Sequence, residues 1–250
     1  MDRKPPKFLT LPDRRLAYQL QRGKPGSPGI VFFNGYGSNM RGTKAEFLDE
    51  RCSKAGVSFL RFDYRGHGQS SGDFTDGTIG DWFDDACIIF DRLAAGTQIV
   101  IGSSMGGWIA LMLALKKPEH VRALIGIAAA PDFTEEYFLP DLTPEKHAQL
   151  EHDGVVYLRV SPPDKPLPIT KNFVEEARKH LLLRSPFFVT CPVRLLHGMQ
   201  DEEIPWRHAL RISEAVSHGD VRITLVKDGG HRLSRPQDLE LLWRAVGEFI

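Results

Sequence analysis

The sequence has no excess of charge of either sign and no long apolar run. Lysine plus arginine and aspartate plus glutamate both number 32, so the formal net charge is zero. Without a basic field, neither a nucleic acid nor an anionic membrane surface is expected as a partner. No apolar stretch approaches the roughly 18 residues that span a bilayer, and the N-terminal MDRKPPKFLT contains no apolar signal core. We therefore expect no membrane span.

Cysteine is also scarce. The three cysteines, Cys52, Cys87 and Cys191, are odd in number, far apart and without the spacing of metal ligands. This pattern indicates reduced thiols in a reducing compartment. We expect a soluble cytoplasmic protein, or one of the mitochondrial matrix if the chain is the mature form of a eukaryotic protein. We expect no metal and no cofactor, and the oligomeric state is left open.

What the sequence does contain is an alternation of apolar strands and amphipathic helices. Runs such as GIVFFNG and VRALIGIAAA have the composition of buried parallel strands, and IGDWFDDACIIFDRLA has apolar residues at helical spacing. The alternation predicts an α/β fold with a doubly wound, mostly parallel sheet. A chain of 250 residues has room for one large core.

The alternation is interrupted between residues 132 and 186, where proline and charge are more frequent. We predict a helix near residues 144–153, a hairpin that turns at 161–164 and an amphipathic helix over 171–183. The segment is too small for an independent domain and too structured for a linker, so we expect a cap (lid) inserted into the core. The predicted core comprises residues 1–131 and 187–250, and the predicted cap comprises residues 132–186.

One serine has the sequence context of a nucleophile. Gly102-Ser103-Ser104-Met105-Gly106 follows an apolar strand and precedes an apolar helix, which is the context of a nucleophile elbow. Small flanking residues allow the sharp turn that such a serine needs. A second match to the same template contains Ser70, but a polar, turn-rich segment follows it in place of a helix. The alternative is that Ser104 has a structural role only, as the residue that caps the following helix.

A serine hydroxyl needs a positioned imidazole to become a nucleophile at neutral pH. Three histidines follow predicted strands: His67, His197 and His231. His231 follows the last strand and two glycines that allow its ring to be aimed, so it is the best candidate for the general base. For His197, packing beneath its loop is a better explanation than a role as the base. For His67, hydrogen bonding within its own loop is the better explanation.

The imidazole in turn needs a carboxylate that fixes its tautomer. Asp201, in the loop after a late core strand, is the best candidate, and a loop-capping role is its alternative. The other carboxylates considered are Glu202, Glu203, Asp132 and Asp228. The chain order Ser104, Asp201, His231 is the order of the α/β-hydrolase triad.

Acyl transfer also needs hydrogen-bond donors for a developing oxyanion. Met105 offers its N–H at the start of a helix, where donors are unpaired and the helix dipole favours negative charge. The N–H of Tyr36 is the candidate second donor, since Gly35 and Gly37 allow its loop to approach closely. The alternative for that loop is a tight turn with no catalytic role.

Apolar residues of the predicted cap are candidates for a substrate pocket. We expect the cap to cover an acyl or leaving-group site, because a lid excludes water and shapes specificity. The candidate substrate-binding residues are Trp108, Phe133, Tyr137 and Phe138. The alternative is that these apolar side chains only pack the insertion against the core.

Four separated motifs, NGYGSN, FDYRGHGQSSG, GSSMGG and HGMQDEEIP with GGH, together resemble those of the α/β-hydrolase superfamily over nearly the whole chain. Within it, the chain resembles the mitochondrial palmitoyl-protein thioesterases that also hydrolyse mycophenolic acid acyl-glucuronide, and their bacterial relatives. Asn34 stands where many members have histidine. The resemblance implies Ser104, Asp201 and His231 as the catalytic triad.

The resemblance also implies acyl esters or thioesters as substrates, of the S-acyl cysteine or acyl-glucuronide type. The expected partner is therefore a small-molecule ester or thioester, or an S-acylated protein. We expect a serine hydrolase that forms an acyl-enzyme on Ser104. Two alternatives use the same fold: a carbon–carbon bond hydrolase or acyltransferase with the same triad, and a noncatalytic binding protein.

Overall fold

The computed structural model describes residues 5–158, 166–217 and 219–250. The strands are β1 Lys7–Thr10, β2 Arg15–Gln21, β3 Gly29–Phe33, β4 Phe59–Phe62, β5 Gln98–Ser103, β6 Val121–Ile127, β7 Val155–Leu158, β8 Leu167–Thr170, β9 Val193–Gly198 and β10 Val221–Val226. The α-helices are α1 Thr43–Ala55, α2 Ile79–Leu93, α3 Met105–Lys116, α4 Pro144–Asp153, α5 Lys171–Ala177, α6 Arg207–Ala215 and α7 Pro236–Gly247.

Eight of these strands form one sheet in the order β1-β2-β4-β3-β5-β6-β9-β10. β2 pairs antiparallel with β1 and β4, and the remaining pairs are parallel. The predicted doubly wound, mostly parallel sheet is confirmed. Because parallel strands point the same way, the loops after β3, β5, β9 and β10 meet at one edge of the sheet, where such folds collect their functional groups.

Alternate strand residues pack into separate cores on the two faces of the sheet. In β3, Val31 and Phe33 belong to one buried cluster, and Ile30 and Phe32 belong to the other. This alternation follows from the period of two in a strand. The first cluster includes buried side chains of α2 and α3, and the second includes those of α1 and α7. The central strands are therefore covered on both sides.

The segment from residue 132 to 186 contains a π-helical turn, Thr134–Phe138, followed by α4, β7, β8 and α5. β7 and β8 pair antiparallel, from Val155 opposite Thr170 to Leu158 opposite Leu167. The predicted turn of this hairpin at 161–164 lies outside the described residues. The division into cap and core remains a prediction.

The helix predicted over 171–183 is shorter in the structure. α5 ends at Ala177 and continues only as a 3₁₀ turn, Arg178–His180. The N–H groups of Leu182 and Leu183 donate to the Asp132 carboxylate at 2.7 to 3.0 Å instead of to helical carbonyls. This tertiary contact ends the helix, although the apolar spacing continues. Across the described residues, no helix combines the length and the apolar character needed to cross a bilayer.

Candidate active site

Ser104 occupies a sharp turn between β5 and α3. Its φ is 54° and its ψ is −122°, a conformation that strains any residue with a side chain. A Cβ on Gly106 would lie 2.1 Å from the Phe33 carbonyl oxygen, and one on Gly102 would lie 2.2 Å from the Gly106 carbonyl oxygen. Glycine at these positions therefore lets the turn pack tightly against β3 and against itself.

The structure brings Ser104, His231 and Asp201 together. His231 Nε2 lies 3.0 Å from Ser104 Oγ, and His231 Nδ1 lies 2.8 Å from Asp201 Oδ2. Because a carboxylate can only accept, Nδ1 carries the hydrogen and Nε2 is free to accept the serine proton. The arrangement is that of a nucleophile, a general base and a carboxylate that orients the base.

The acid and base loops meet because their main chains touch. Gln200 donates its N–H to the Gly229 carbonyl oxygen at 2.8 Å. A Cβ on Gly198 would lie 2.3 Å from the same oxygen, so the contact requires glycine at the end of β9. Two residues beyond Gly229 the chain reaches His231, directly opposite Asp201.

Asp201 is held by four donors. Its Oδ1 accepts the N–H groups of Glu203 and Ile204, both at 2.9 Å. Its Oδ2 accepts from His231 and from His197 Nε2, the latter at 3.1 Å. Burial alone would raise the pKa of Asp201, but the hydrogen bonds from His197 and His231 lower it below its usual range. The carboxylate is therefore ionised at neutral pH, and His197 supports the acid.

The rival serine and histidine have other contacts. Ser70 Oγ accepts the Ala17 N–H at 2.8 Å and donates to the Asp63 carbonyl oxygen at 2.6 Å, which ties its loop to β2. His67 is buried and lies in a different loop from His231. Burial lowers the pKa of His67 to about 4, so its ring is neutral at physiological pH.

The rival carboxylates do not replace Asp201 in the structure. Both oxygens of Asp132 are occupied by the N–H groups of Leu182 and Leu183. Asp228 forms an exposed ion pair with Arg235 at 2.7 Å. Glu203 lies in the cleft with Oε2 3.6 Å from His231 Nε2, on the serine side of the ring. Glu202 also lines the cleft.

The two candidate oxyanion donors belong to the residue after Ser104 and to the loop after β3. A Cβ on Gly35 would lie 3.3 Å from Ser104 Cβ, so the loop after β3 reaches the nucleophile. Among hydrogen bonds between described residues, none uses the N–H of Tyr36, whereas the next amide, that of Gly37, donates to His67 Nε2 at 3.3 Å. Met105 is the first residue of α3, where the N–H has no helical partner.

A cleft of about 920 Å³ opens above Ser104 and His231. The segment 132–186 contributes apolar and aromatic residues to its lining, together with the charged Asp141 and Lys146: Phe133, Tyr137, Phe138, Leu142, Tyr157, Leu167 and Ile169. The rest of the chain contributes a mostly polar set, alongside the apolar Phe32, Ala45 and Ile204: Ser38, Asn39, Thr43, Lys44, Glu202, Glu203, Arg232 and Ser234. Such a division suits a ligand with one apolar and one polar end.

Trp108 differs from the other candidate substrate-binding residues. It is fully buried in the core and does not line the cleft. Its indole N–H donates to the His180 carbonyl oxygen at 3.0 Å, and its ring meets the edge of Phe133 with centroids 6.0 Å apart. Nearly every residue of α3 is buried, so a large apolar side chain on this helix packs into the core. Trp108 therefore contacts Phe133, which lines the cleft, without lining the cleft itself.

Sequence reasoning missed Lys44, which holds the loop that carries His231. Its ammonium group donates to the Arg232 carbonyl oxygen and lies 3.5 Å from Ser234 Oγ. Burial and the neighbouring Arg232 lower the pKa of Lys44 to about 8. Its position at the start of the helix after the NGYGSN loop is the signal that could have drawn attention to it.

Among the described residues, no group of three or more His, Cys, Asp or Glu side chains is arranged to hold a metal ion.

Comparison with known proteins agrees with this architecture. The family described as serine aminopeptidase, S33, matches residues 27–182. The structure of alpha/beta hydrolase domain-containing protein 10 from mouse is 40% identical, covers 98% of each chain and superimposes with a TM-score of 0.88. A putative hydrolase from Agrobacterium vitis S4 is 36% identical, covers 99% of this chain and 100% of its own, and has a TM-score of 0.92. The chain belongs to the α/β-hydrolase superfamily and is a serine hydrolase.

Its similarity to curated relatives is more specific. Palmitoyl-protein thioesterase ABHD10, mitochondrial, of Mus musculus is 42% identical over 237 residues, which cover 94% of this chain and 78% of the relative. The Homo sapiens protein of the same name is 40% identical over 245 residues, covering 97% and 79%. Within the superfamily, the chain therefore belongs to the same family as these thioesterases.

Proposed function

We propose that this protein hydrolyses acyl thioesters and esters through an acyl-enzyme on Ser104. One observation carries the proposal: Ser104 Oγ, His231 and Asp201 form a continuous relay with distances of 3.0 and 2.8 Å at the floor of a cleft. The names of the ABHD10 relatives support S-acyl cysteine in a protein as the substrate. An acyl-glucuronide is the corresponding oxygen ester: its acyl carbonyl would be attacked in the same way, and only the leaving group differs.

In acylation, Ser104 Oγ attacks the acyl carbonyl carbon while its proton passes to His231 Nε2. The carbonyl oxygen becomes an oxyanion that accepts hydrogen bonds from the N–H groups of Tyr36 and Met105. The charge of Asp201 stabilises the imidazolium that forms. When the carbon–sulfur or carbon–oxygen bond breaks, His231 gives its proton to the departing thiolate or alkoxide, and the acyl group stays on Ser104.

In deacylation, water takes the place of the leaving group. His231 removes a proton from the water as its oxygen attacks the acyl carbon, and the same two amides hold the second oxyanion. Collapse of this intermediate returns the proton to Ser104 Oγ and releases the carboxylic acid. We place the acyl chain beside the apolar residues Phe133, Tyr137 and Phe138, and the leaving group beside the polar residues of the lining.

A covalent probe tests the assignment of the nucleophile. A fluorophosphonate should label the wild-type protein and the Ser103→Ala and Ser70→Ala variants, but not Ser104→Ala. Ser104→Ala should also lose turnover by a factor on the order of 10⁴ or more, because the nucleophile cannot be replaced. Loss of labelling in Ser70→Ala with retention in Ser104→Ala would overturn the proposal.

A substrate panel tests the reaction class. Acyl-CoA or S-acyl peptide thioesters, p-nitrophenyl esters and an acyl-glucuronide should all release free acid, with kcat/KM reporting the preferred leaving group. A carbon–carbon bond hydrolase or acyltransferase would use the same three side chains, but it would give different products. Transfer of the acyl group to an added alcohol or amine, in place of water, would favour the acyltransferase. Binding without turnover would favour a noncatalytic protein.

The cap and the compartment are proposed on separate grounds. The apolar residues that segment 132–186 contributes to the cleft support its role as a lid over the acyl group, so exchanging the segment for that of a relative should change the preferred chain length. The buried free thiols of Cys52, Cys87 and Cys191 suit a reducing compartment, either the cytoplasm or, for a eukaryotic source, the mitochondrial matrix. The names of the ABHD10 relatives, which say mitochondrial, support the second of these. Cell fractionation should recover the protein from one of these two.

A further inference from the structure

The side chain of Tyr36 connects the loop after β3 to the segment 132–186. The phenol donates to the Pro168 carbonyl oxygen of β8 at 2.6 Å. Burial raises the pKa of Tyr36 well above its usual value, so the phenol keeps its proton. The amide of the same residue is the proposed oxyanion donor. One residue therefore contacts β8 through its side chain and carries the proposed oxyanion donor in its backbone.

The ring of Tyr36 is fixed by four aromatic neighbours. Phe74 and Trp82, from the core, have centroids 4.9 and 5.6 Å from that of Tyr36. Phe133 and Phe173, from the segment 132–186, lie at 6.3 and 5.2 Å. The ring thus occupies the seam between the two parts of the chain and has little freedom to move away from β8.

β8 is part of the wall of the cleft. Leu167 and Ile169 line it, and Pro168, whose carbonyl oxygen binds Tyr36, lies between them. Leu167 also packs on the loop itself, since a Cβ on Gly37 would lie 2.7 Å from a Leu167 methyl carbon. β8 therefore contacts both the proposed acyl site and the loop after β3, which carries the proposed oxyanion donor of Tyr36.

The core holds the same loop from the other side. His67 Nε2 accepts the Gly37 N–H at 3.3 Å, and His67 Nδ1 lies 3.2 Å from the Arg65 carbonyl oxygen. The Nδ1 atom must carry the hydrogen for that second contact, which leaves Nε2 as the acceptor. Two hydrogen bonds therefore hold the backbone around the Tyr36 amide. One joins the Tyr36 phenol to Pro168 of β8, and the other joins the N–H of the next residue, Gly37, to His67.

We propose that Tyr36 is a positioning residue whose phenol, bonded to Pro168, sets the place of the oxyanion hole relative to the acyl-binding wall. The inference rests on the proposed function, because it needs an oxyanion on the substrate of Ser104. A preorganised donor stabilises the transition state more than the ground state, so the bond to Pro168 should act on kcat and not on substrate affinity.

The test uses Tyr36→Phe, which keeps the ring and its aromatic contacts and removes only the hydroxyl. We expect kcat to fall about tenfold with KM within about twofold, for an acetyl and a long-chain acyl thioester alike, because both form the same oxyanion. Tyr18→Phe, on β2 and outside the cleft lining, is the matched control and should keep wild-type kinetics. Thermal unfolding of each variant verifies that it is folded.

A second measurement is specific to the oxyanion hole. Ser104 Oγ adds to a trifluoromethyl ketone to give a tetrahedral oxyanion, whereas a neutral fatty alcohol of the same chain length can occupy the cleft without carrying an anionic oxygen. Tyr36→Phe should weaken inhibition by the ketone about tenfold and leave inhibition by the fatty alcohol unchanged. A purely structural loosening of the cleft would weaken both ligands together.

The outcomes separate this inference from the proposed function. Unchanged kcat and unchanged ketone inhibition in Tyr36→Phe would overturn the positioning role while Ser104→Ala remained inactive. A rise in KM for the long-chain substrate alone would also overturn it, because Tyr36 would then act only as a wall of the pocket. Full activity in Ser104→Ala would instead overturn the proposed function itself.

Discussion

At the scale of single residues, the site depends on a carboxylate that serves two imidazoles. Asp201 accepts from His231 on the catalytic side and from His197 on the buried side. The second imidazole also contacts the Ile204 carbonyl oxygen at 2.9 Å, so its hydrogen is shared between two acceptors. His197 therefore holds the Asp201 carboxylate in place, and that carboxylate in turn orients the ring of His231.

Replacement of Asp201 by asparagine should reduce kcat by about 10³ to 10⁴, with little change in KM. An amide has no negative charge to stabilise the imidazolium, and its NH₂ group can select the wrong tautomer of His231. Steady-state kinetics on one thioester would measure the effect.

Asp228→Asn is the matched control for this change. Asp228 lies three residues before His231 in sequence, but it pairs with Arg235 at the surface. Near wild-type activity is expected, since exposed ion pairs contribute little. If Asp228→Asn lost activity and Asp201→Asn kept it, the acid would be misassigned.

At the scale of elements, the strand–turn–helix of β5 and α3 is built by close main-chain approach. The Ser104 N–H donates to the Ile127 carbonyl oxygen of β6 at 2.9 Å, which anchors the turn to the next strand. A Cβ on Gly107 would lie 2.5 Å from Ala129 Cβ. The glycines thus allow α3 to start directly over the strand ends.

Gly106→Ala should destabilise the protein by about 3 kcal/mol or more, because its Cβ would meet a backbone oxygen that cannot move away. Gly247→Ala at the end of α7 is the control, since a Cβ there meets no atom within 4 Å. The control should be neutral or stabilising by up to about 1 kcal/mol. Urea unfolding of both variants measures the difference, and equal midpoints would contradict the packing argument.

At the scale of the whole molecule, two buried histidines make folding sensitive to acid. His67 accepts the Gly37 N–H of the loop after β3, and His208 accepts from the Tyr137 hydroxyl at 3.0 Å and contacts the Pro131 carbonyl oxygen at 2.9 Å. Burial lowers the pKa of each to about 4 from 6.5. Between these pH values the unfolded chain binds protons that the folded protein does not.

The free energy of unfolding should therefore fall as pH decreases from about 6.5 to 4, by at most about 3 kcal/mol for each histidine. His208→Gln, which cannot protonate in this range, should have a shallower dependence when urea midpoints are compared at pH 7, 5.5 and 4.5. His152→Gln, at an exposed position, should keep the wild-type slope. Identical slopes in the wild type and His208→Gln would rule out this contribution.

The sequence by itself determined the alternation of strands and helices, the mostly parallel sheet and the family. These follow from local signals: apolar runs of strand length, helical spacing, and glycines around Ser104 that only a tight turn requires. It also ranked Asp201 and His231 first, since each follows a strand whose end lies at the functional edge.

Only the tertiary structure decided which side chains meet. The occupied oxygens of Asp132, the two hydrogen bonds of Ser70 and the inward packing of Trp108 all depend on partners far away in the sequence. The end of α5 and the bond from Tyr36 to Pro168 have the same origin. Sequence patterns report on neighbours along a strand or helix, whereas hydrogen bonds across 50 or 132 residues depend on how the completed fold brings distant loops together.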